Sequence, residues 1–232
     1  GSGVIDEQNF ATENTLYEVG IKYAPSGARW YADAVLFDQK RSLRNRDGSN
    51  SGIRTEGLET QWHYASETGY WVTLAASYID ARWDDSAASQ GTRQVADAFD
   101  NSRPDTIEGT GLGSPNFTLF PASSQQLQGI PEVQASVVAG WNITEKWSVG
   151  GDLSYTKHYP LDYLQTVFIR DQHTLNLNSR YRFSEQLNVR LDVFNATDQD
   201  NWSPVFEGGY FGATLAFPSQ PVHARLSVNY EF

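Results

Sequence analysis

The sequence predicts an all-β protein, an antiparallel up-and-down transmembrane β-barrel of which this chain supplies about nine long strands. Three observations predict it: a regularly alternating C-terminal segment, similar long segments along the chain, and short turns that alternate with long connections. A tilted strand that crosses a bilayer needs about nine to eleven residues, with an apolar outer face and a polar lumen face. Strands of ordinary globular proteins run about five or six residues.

The C-terminal segment, residues 221–232, alternates throughout and ends on an aromatic residue. One of its faces is apolar and carries Val222, Ala224, Leu226, Val228, Tyr230 and Phe232. The other face is polar and carries His223, Arg225, Ser227, Asn229 and Glu231. Because side chains alternate across a strand, this segment is predicted to separate lipid from a polar lumen.

Eight further segments show the period of two that is typical of strands. In N-terminal order they are 16–24, 29–40, 53–65, 70–82, 131–143, 147–158, 170–183 and 187–196. The alternation weakens toward the N-terminus, and the segment from Trp30 to Gln39 fits either register. With the C-terminal segment, nine strands are predicted.

The connections between these strands follow a second pattern. Short turns at 24–27, 66–69, 144–146 and 184–186 alternate with long connections at 41–52, 83–130, 159–169 and 197–220. Outer-membrane barrels have short periplasmic turns and long external loops. This parity places Phe232 at the periplasmic rim and assigns the segment from Tyr210 to Phe217 to a loop, because one more strand would move the C-terminus to the other side.

Length, net charge and cysteine content exclude several classes of function for this chain. With 232 residues and 39% hydrophobic content, the chain is long and apolar enough for one ordered domain, although no run approaches the roughly twenty apolar residues of a membrane-spanning helix. A net charge of −11 repels phosphate backbones and argues against nucleic acid as a partner. The absence of cysteine excludes disulfides and thiolate metal sites.

The first three residues are unlike the barrel sequence that follows them. Methionine is absent, and Gly1, Ser2 and Gly3 are typical of a cloning or cleavage scar. We therefore interpret residues 1–3 as a scar and residues 4–232 as barrel sequence.

Aromatic residues cluster beside the short turns, where an interfacial girdle belongs. Five of them, Trp141, Trp147, Tyr181, Tyr230 and Phe232, are predicted to anchor the sheet at the membrane surface, and the last two to form the signal read by the barrel assembly machinery. The alternative is a soluble β-sandwich whose aromatics lie in its core.

An odd number of strands is unusual, because complete single-chain bacterial barrels have even numbers. An open edge in hydrocarbon leaves backbone groups unpaired at a cost of several kcal/mol each. Missing strands, a second copy of the chain or a rearrangement must therefore close the sheet.

Several stretches resemble the C-terminal half of a TonB-dependent outer-membrane receptor. They are 13–23 (ENTLYEVGIKY), 129–132 (GIPE), 187–198 (LNVRLDVFNATD) and 225–232 (RLSVNYEF). Members of this family have a barrel of about twenty-two strands filled by an N-terminal plug, and they import iron chelates, cobalamin or sugars. The resemblance implies that this chain supplies the last nine strands, without the plug or the TonB-contact segment.

The same resemblance implies location, partners and role. It places the chain in the outer membrane of a Gram-negative bacterium, in contact with lipid and lipopolysaccharide, with the remaining strands and the plug of its parent, and with TonB only through that plug. The implied function is uptake of a chelated nutrient, most often an iron siderophore, with neither enzymatic activity nor a cofactor. The alternatives are a small complete barrel acting as an enzyme or adhesin, and a soluble carbohydrate-binding sandwich.

The candidate ligand-binding residues lie in the predicted external loops. Three arginines suit an anionic chelate and four aromatics suit stacking on a ring: Arg41, Arg44, Arg46, Phe117, Phe120, Tyr210 and Phe211. The simpler interpretation is that these seven residues are ordinary loop residues that contact solvent or lipopolysaccharide.

Three further sets of titratable residues bear on catalysis or metal binding. Asp84 and Asp85 with His158 suggest an acid-base site, although catalysis depends on a geometry that sequence does not fix. His63, His158 and His223 lie on non-consecutive strands and predict no metal site. The loop acids Asp97, Asp100 and Asp105 lack the regular ligand spacing of a calcium site.

Overall fold

The computed structural model describes residues 14–44, 50–84, 91–94, 117–120, 126–161, 168–206 and 215–232. All regular elements in these ranges are β-strands. They are β1 (Asn14–Tyr23), β2 (Trp30–Arg44), β3 (Asn50–Ala65), β4 (Tyr70–Asp84), β5 (Gly91–Gln94), β6 (Phe117–Phe120), β7 (Val133–Asn142), β8 (Trp147–Thr156), β9 (Tyr159–Pro160), β10 (Phe168–Ile169), β11 (Gln172–Arg182), β12 (Leu187–Phe194), β13 (Trp202–Phe206), β14 (Leu215–Pro218) and β15 (His223–Tyr230). Within the described ranges, no helix has the length and apolar character needed to cross a membrane.

Nine of these strands form one antiparallel sheet in the order β1-β2-β3-β4-β7-β8-β11-β12-β15. Each strand pairs with the next of the nine along the chain, which is the up-and-down arrangement. The nine correspond one to one to the nine predicted strands, so the predicted fold class is confirmed. The sheet is not closed: β1 and β15 are its two edges.

The register of the pairs places one set of side chains on a common face, which we call the apolar face. In β4, for example, Tyr70, Val72 and Leu74 lie opposite Trp141, Ala139 and Val137 of β7. The same face continues across β8, β11 and β12 to Leu226 and Val228 of β15. The opposite, polar face carries Ser, Asn, Gln, Asp and Arg side chains of the same strands.

The pairing of β2 with β3 settles the register that the sequence left open. Trp30 lies opposite Tyr64, Ala32 opposite Trp62, and Leu36 opposite Leu58. These residues therefore share the apolar face, while Tyr31, Val35 and Phe37 lie on the polar face.

The apolar face is not covered by protein among the described residues. Val19 and Leu226 keep 74% and 67% of their surface exposed, and the buried apolar side chains of the described residues are few: Ala81, Tyr159, Pro160, Leu161 and Ile169. A contiguous exposed apolar surface of this kind marks contact with a membrane or another protein.

The strands β2 and β3 are longer than predicted. Their pairing continues to Arg44 and Asn50, so only residues 45–49 separate them. The predicted long connection 41–52 is therefore wrong in extent, because its polar residues continue a paired ribbon instead of leaving the sheet.

Short strand pairs lie within the long connections: β5 with β6, β9 with β10, and β13 with β14. Of the segment from Tyr210 to Phe217, which was predicted to lie in a loop, the structure describes residues 215–217, and these belong to β14, which pairs with β13 and not with the main sheet. Tyr210 itself lies outside the described residues.

A hydrogen-bonded corner joins the end of β12 to the start of β15, and Asn195 is its centre. Only 5% of the Asn195 surface is exposed. Its side-chain amide donates to the carbonyls of Gln199 (3.0 Å) and Gln220 (3.1 Å), its side-chain oxygen accepts from the Gln199 backbone N–H (2.9 Å), and its own N–H donates to Asn176 Oδ1 (3.0 Å). Asn195 has φ 49°, a left-handed conformation that Asn tolerates better than most residues.

A close approach between β2 and β3 occurs at Gly57 on the polar face. A Cβ atom there would lie 2.6 Å from Phe37 Cζ and 2.4 Å from the Tyr78 carbonyl oxygen. The Phe37 ring therefore occupies the space that a side chain at position 57 would need.

We expect Asn195→Ala to lower the free energy of unfolding by about 2–4 kcal/mol, because it leaves buried backbone groups unpaired and places Ala at a positive φ. Denaturant unfolding measures this. Thr197→Ala, at an exposed neighbour, is the matched control and should change stability by less than about 0.5 kcal/mol. Equal effects of the two substitutions would contradict the role assigned to Asn195.

Candidate functional site

The polar face of the sheet is the first candidate surface. A charge cluster on β12 and β15 dominates one side of it: Asp192, 3% exposed, accepts from Arg190 Nε (2.8 Å) and from Arg225 Nη2 (3.2 Å). Two cations around one buried carboxylate satisfy that carboxylate and fix both guanidinium groups. The neighbouring Asp152 accepts from the Asn176 side chain at 2.8 Å.

Aromatic rings extend this polar face at two places. Phe194 stacks on His223 with ring centroids 4.8 Å apart, and the Arg225 guanidinium lies 5.4 Å from the Phe194 centroid. On the other side, Tyr31 stacks on His63 at 5.1 Å, and His63 Nδ1 lies 2.8 Å from Thr73 Oγ1. The polar face therefore offers both ionic and stacking contacts.

The short turns lie together at one end of the sheet, which we call the short-turn rim. Aromatic pairs follow this rim on the apolar face: Tyr23 with Trp30 (5.6 Å), Tyr64 with Tyr70 (5.7 Å), Tyr181 with Phe183 (4.7 Å) and Tyr230 with Phe232 (5.1 Å). Trp141 and Trp147 are exposed on the same face. The five predicted girdle residues thus lie side by side at one rim, while their roles in anchoring and assembly remain predictions.

Sequence reasoning missed a second row of tyrosines at the opposite end of the apolar face. Tyr17, Tyr78 and Tyr155 lie there on β1, β4 and β8. Counting back along each strand from the aromatics at the short turns would have revealed them, since both rows bound an apolar belt of about nine residues, the length of one crossing.

On β2, β3 and β4 the apolar belt ends in charged side chains at the end of the sheet away from the short turns. We call these residues the charged band: Asp38, Arg54, Glu56, Asp80 and Arg82. Arg54 Nη2 lies 3.0 Å from Asp38 Oδ2 and 3.7 Å from Glu56 Oε2, and Arg82 Nε lies 2.6 Å from Asp80 Oδ1. Exposed pairs like these stabilise a fold little. Their position marks the level at which the apolar face meets a polar medium.

A hydrogen-bonded group lies at the far end of β8 and β11. Asp171 accepts from the His158 backbone N–H (2.7 Å) and from the Tyr155 hydroxyl (3.0 Å), and its Oδ1 lies 2.9 Å from His158 Nδ1. These hydrogen bonds lower the pKa of Asp171 below its usual range. Beside it, Tyr159, Leu161 and Ile169 form a small buried apolar cluster.

The predicted ligand-binding residues do not form one described site. Arg41 and Arg44 lie in β2 and not in a loop, which corrects their predicted placement. Arg41 is exposed and shares the face of Tyr31 and Phe37. Phe117 and Phe120 begin and end the short strand β6, and the other three residues, Arg46, Tyr210 and Phe211, lie outside the described ranges.

The candidate residues for catalysis or metal binding also lie on different elements of the sheet. Asp84 ends β4, Asp85 is not described, and His158 lies beyond the end of β8 with Asp171 as its partner. Strand β8 ends at Thr156, two residues before the predicted end. Among the described residues, no three His, Cys, Asp or Glu side chains come together as a metal site.

The family model described as "TonB dependent receptor-like, beta-barrel" matches residues 3–196. No protein of curated function matches the sequence. Similar solved structures include the siderophore receptor PiuA from Acinetobacter baumannii, with TM-score 0.70 and 13% identity, covering 94% of this chain and 28% of that one.

Two other similar structures support the same fold. The ferric-catecholate import receptor Fiu from E. coli K12 has TM-score 0.66 and 19% identity, covering 95% of this chain and 28% of that one. The ferric yersiniabactin uptake receptor FyuA from Yersinia pestis has TM-score 0.66 and 13% identity, covering 95% and 30%. This chain therefore spans less than a third of the length of these receptors.

Family members are transport receptors and not enzymes, which confirms the expectation of a non-enzymatic role. The confirmed fold also excludes the soluble sandwich. Because the family model matches most of its length and its sheet has the fold of receptor barrels, this chain belongs to the TonB-dependent receptor β-barrel family.

Proposed function

We propose that this chain forms part of the outer-membrane wall of a TonB-dependent receptor that imports a chelated nutrient, with a ferric siderophore as the cargo. The observation that carries the proposal is the two-faced sheet of a receptor-barrel family, apolar and uncovered on one side and polar on the other. The polar face lines the lumen, and the short-turn rim faces the periplasm.

The choice of cargo is supported by the similar structures, which are receptors for siderophores and a ferric catecholate. Their identity to this chain is 13% and 19%, so the resemblance extends to the fold, and the cargo is our inference. Arg41 supports an anionic ligand, because it is exposed on the polar face near the end of β2 that lies far from the short turns.

The partners follow from the two faces. In the complete receptor, the remaining strands pair with the edges β1 and β15, because an open edge in hydrocarbon is costly. The plug meets the polar face and carries the contact with TonB. The apolar belt meets outer-membrane lipid, and the charged band lies at the level of lipopolysaccharide headgroups, whose phosphates and bound cations suit its mixed charges. Tyr230 and Phe232 serve the barrel assembly machinery.

We expect Val137→Arg to destabilise the parent receptor in lipid vesicles by about 2–4 kcal/mol, because Val137 lies in the middle of the apolar belt. Denaturant unfolding from vesicles measures the change. The neighbouring Ser136→Arg on the polar face is the matched control and should cost less than about 1 kcal/mol. A larger cost at position 136 would reverse the assignment of the two faces.

The transport function is tested by uptake in Gram-negative cells that lack their own siderophore receptors and express the parent protein. We expect radiolabelled iron from a ferric catecholate or ferric citrate to accumulate at least about tenfold above cells with empty vector, and only when TonB is present. Uptake of cyanocobalamin alone, or iron uptake independent of TonB, would refute the proposal.

We expect Arg41→Ala to weaken binding of the imported ferric chelate by about tenfold or more, because a charge-assisted hydrogen bond contributes about 1.5–3 kcal/mol. Equilibrium binding to whole cells measures the affinity. Lys22→Ala on the same face, at the opposite rim, is the control and should bind as the unchanged receptor does. Unaltered affinity in the Arg41 variant would remove this residue from the ligand site.

A further inference from the structure

A cavity of about 690 Å³ lies at the short-turn rim, and we call it the rim pocket. Its volume falls within the range of small-molecule sites, about 300–1,000 Å³. The turns before β4 and β8 and the strands β8, β11 and β12 line it. Its basic side chains are Lys146, Arg180 and Arg182, and Asn142, Ser148 and Asn188 add neutral polar groups.

Hydrogen bonds between the turns hold the walls of this pocket. The Asn142 N–H donates to the Gly69 carbonyl (2.9 Å), and the Arg182 N–H donates to the Lys146 carbonyl (2.8 Å). Gly69 has φ 85°, and a Cβ atom there would lie 3.3 Å from Asn142. The pocket is therefore formed by ordered backbone.

The charges of the pocket are not balanced within it. Two acids also line it, but Glu67 forms an ion pair with Arg29, outside the pocket. Glu145 contributes a carbonyl oxygen that accepts from Arg182 Nη2 at 2.9 Å. Among the described residues, the Arg180 guanidinium has neither a hydrogen-bond acceptor nor an ion-pair partner, and the residue is exposed.

The position of Arg180 in the sheet makes this unbalanced charge unusual. Arg180 lies directly opposite Arg190 in the pairing of β11 with β12. Like charges directly opposite each other destabilise a strand pair. Asp192 compensates Arg190, with 2.7 Å between Arg190 Nη2 and Asp192 Oδ1, and leaves Arg180 without compensation. A second anion beside Arg180 and Arg182 would remove the repulsion.

We propose that the rim pocket binds a small diffusible oxyanion, with Arg180 and Arg182 as its principal ligands and Lys146 at its margin. A guanidinium group presents donors in a geometry that suits carboxylate or phosphate oxygens, and this pocket is lined by two of them. The lining amides and hydroxyls supply neutral donors for the remaining oxygens. The pocket opens at the rim where cargo leaves the barrel, so it acts as an exit-side site for an anionic cargo.

The assignment of the anion as cargo rests on the proposed import function, whereas anion binding itself does not. The test therefore measures binding without transport. The purified parent receptor in detergent is titrated with citrate and with inorganic phosphate by isothermal titration calorimetry, and sucrose serves as an uncharged probe.

We expect citrate to bind, and the double variant Arg180→Gln/Arg182→Gln to bind it at least about tenfold more weakly. Lys22→Gln, which removes a charge from the same face and rim outside the pocket, should stay within about twofold of the unchanged receptor. The variant Arg180→Lys/Arg182→Lys is the control for misfolding of the glutamine variant. It keeps both positive charges and should therefore retain more citrate binding than the glutamine variant does.

Three results would overturn the proposal: no binding of citrate or phosphate, equal binding by the glutamine variant, or equal binding of sucrose. The glutamine variant could also melt at a lower temperature while its citrate affinity stays unchanged. That result would mean that an acidic segment of the parent polypeptide occupies the rim pocket, and it would overturn the proposal as well. Failure of iron uptake with intact citrate binding would refute the import function alone.

Discussion

The structure depends on pairing the backbone donors and acceptors of neighbouring strands. Nine strands meet this requirement by continuous antiparallel registers, in which each strand is paired on both sides except β1 and β15. The register also decides which side chains share a face, because alternation then assigns every residue to the apolar or to the polar face. The two edges are where the described sheet needs further strands.

The sequence predicted the strands well where alternation was strict. In β12 from Leu187 to Val193, and throughout β15, apolar and polar residues alternate strictly, so the sequence predicts which face each side chain takes. The observed strands are two residues shorter than predicted at the end of β12 and at both ends of β15. In β2 the faces could not be predicted, because Tyr31, Val35 and Phe37 are apolar on the polar face. Only the partner strand decides the register there, with Trp62 and Tyr64 opposite Ala32 and Trp30. That information is tertiary and has no local signal.

The candidate site was less accessible to prediction. Arg41 and Arg44 lie in a polar stretch of sequence that is typical of a loop. Their pairing with Ile53 and Asn50 of the neighbouring strand nevertheless places both residues in a strand. The carboxylate of Asp192 between two arginines and the uncompensated Arg180 depend on cross-strand neighbours about ten to thirty residues away, which a linear reading does not align.

The extended pairing of β2 with β3 has a consequence for ligand recognition. Beyond the apolar belt the ribbon continues from Asp38 to Arg44, a distance of roughly 20 Å at about 3.3 Å per residue step. A backbone already fixed by a partner strand has little conformational entropy left to lose. Ordering an unstructured segment costs about 1–2 kcal/mol per residue, and a molecule captured by this ribbon would avoid that cost. The paired ends of β2 and β3 therefore form a preorganised arm.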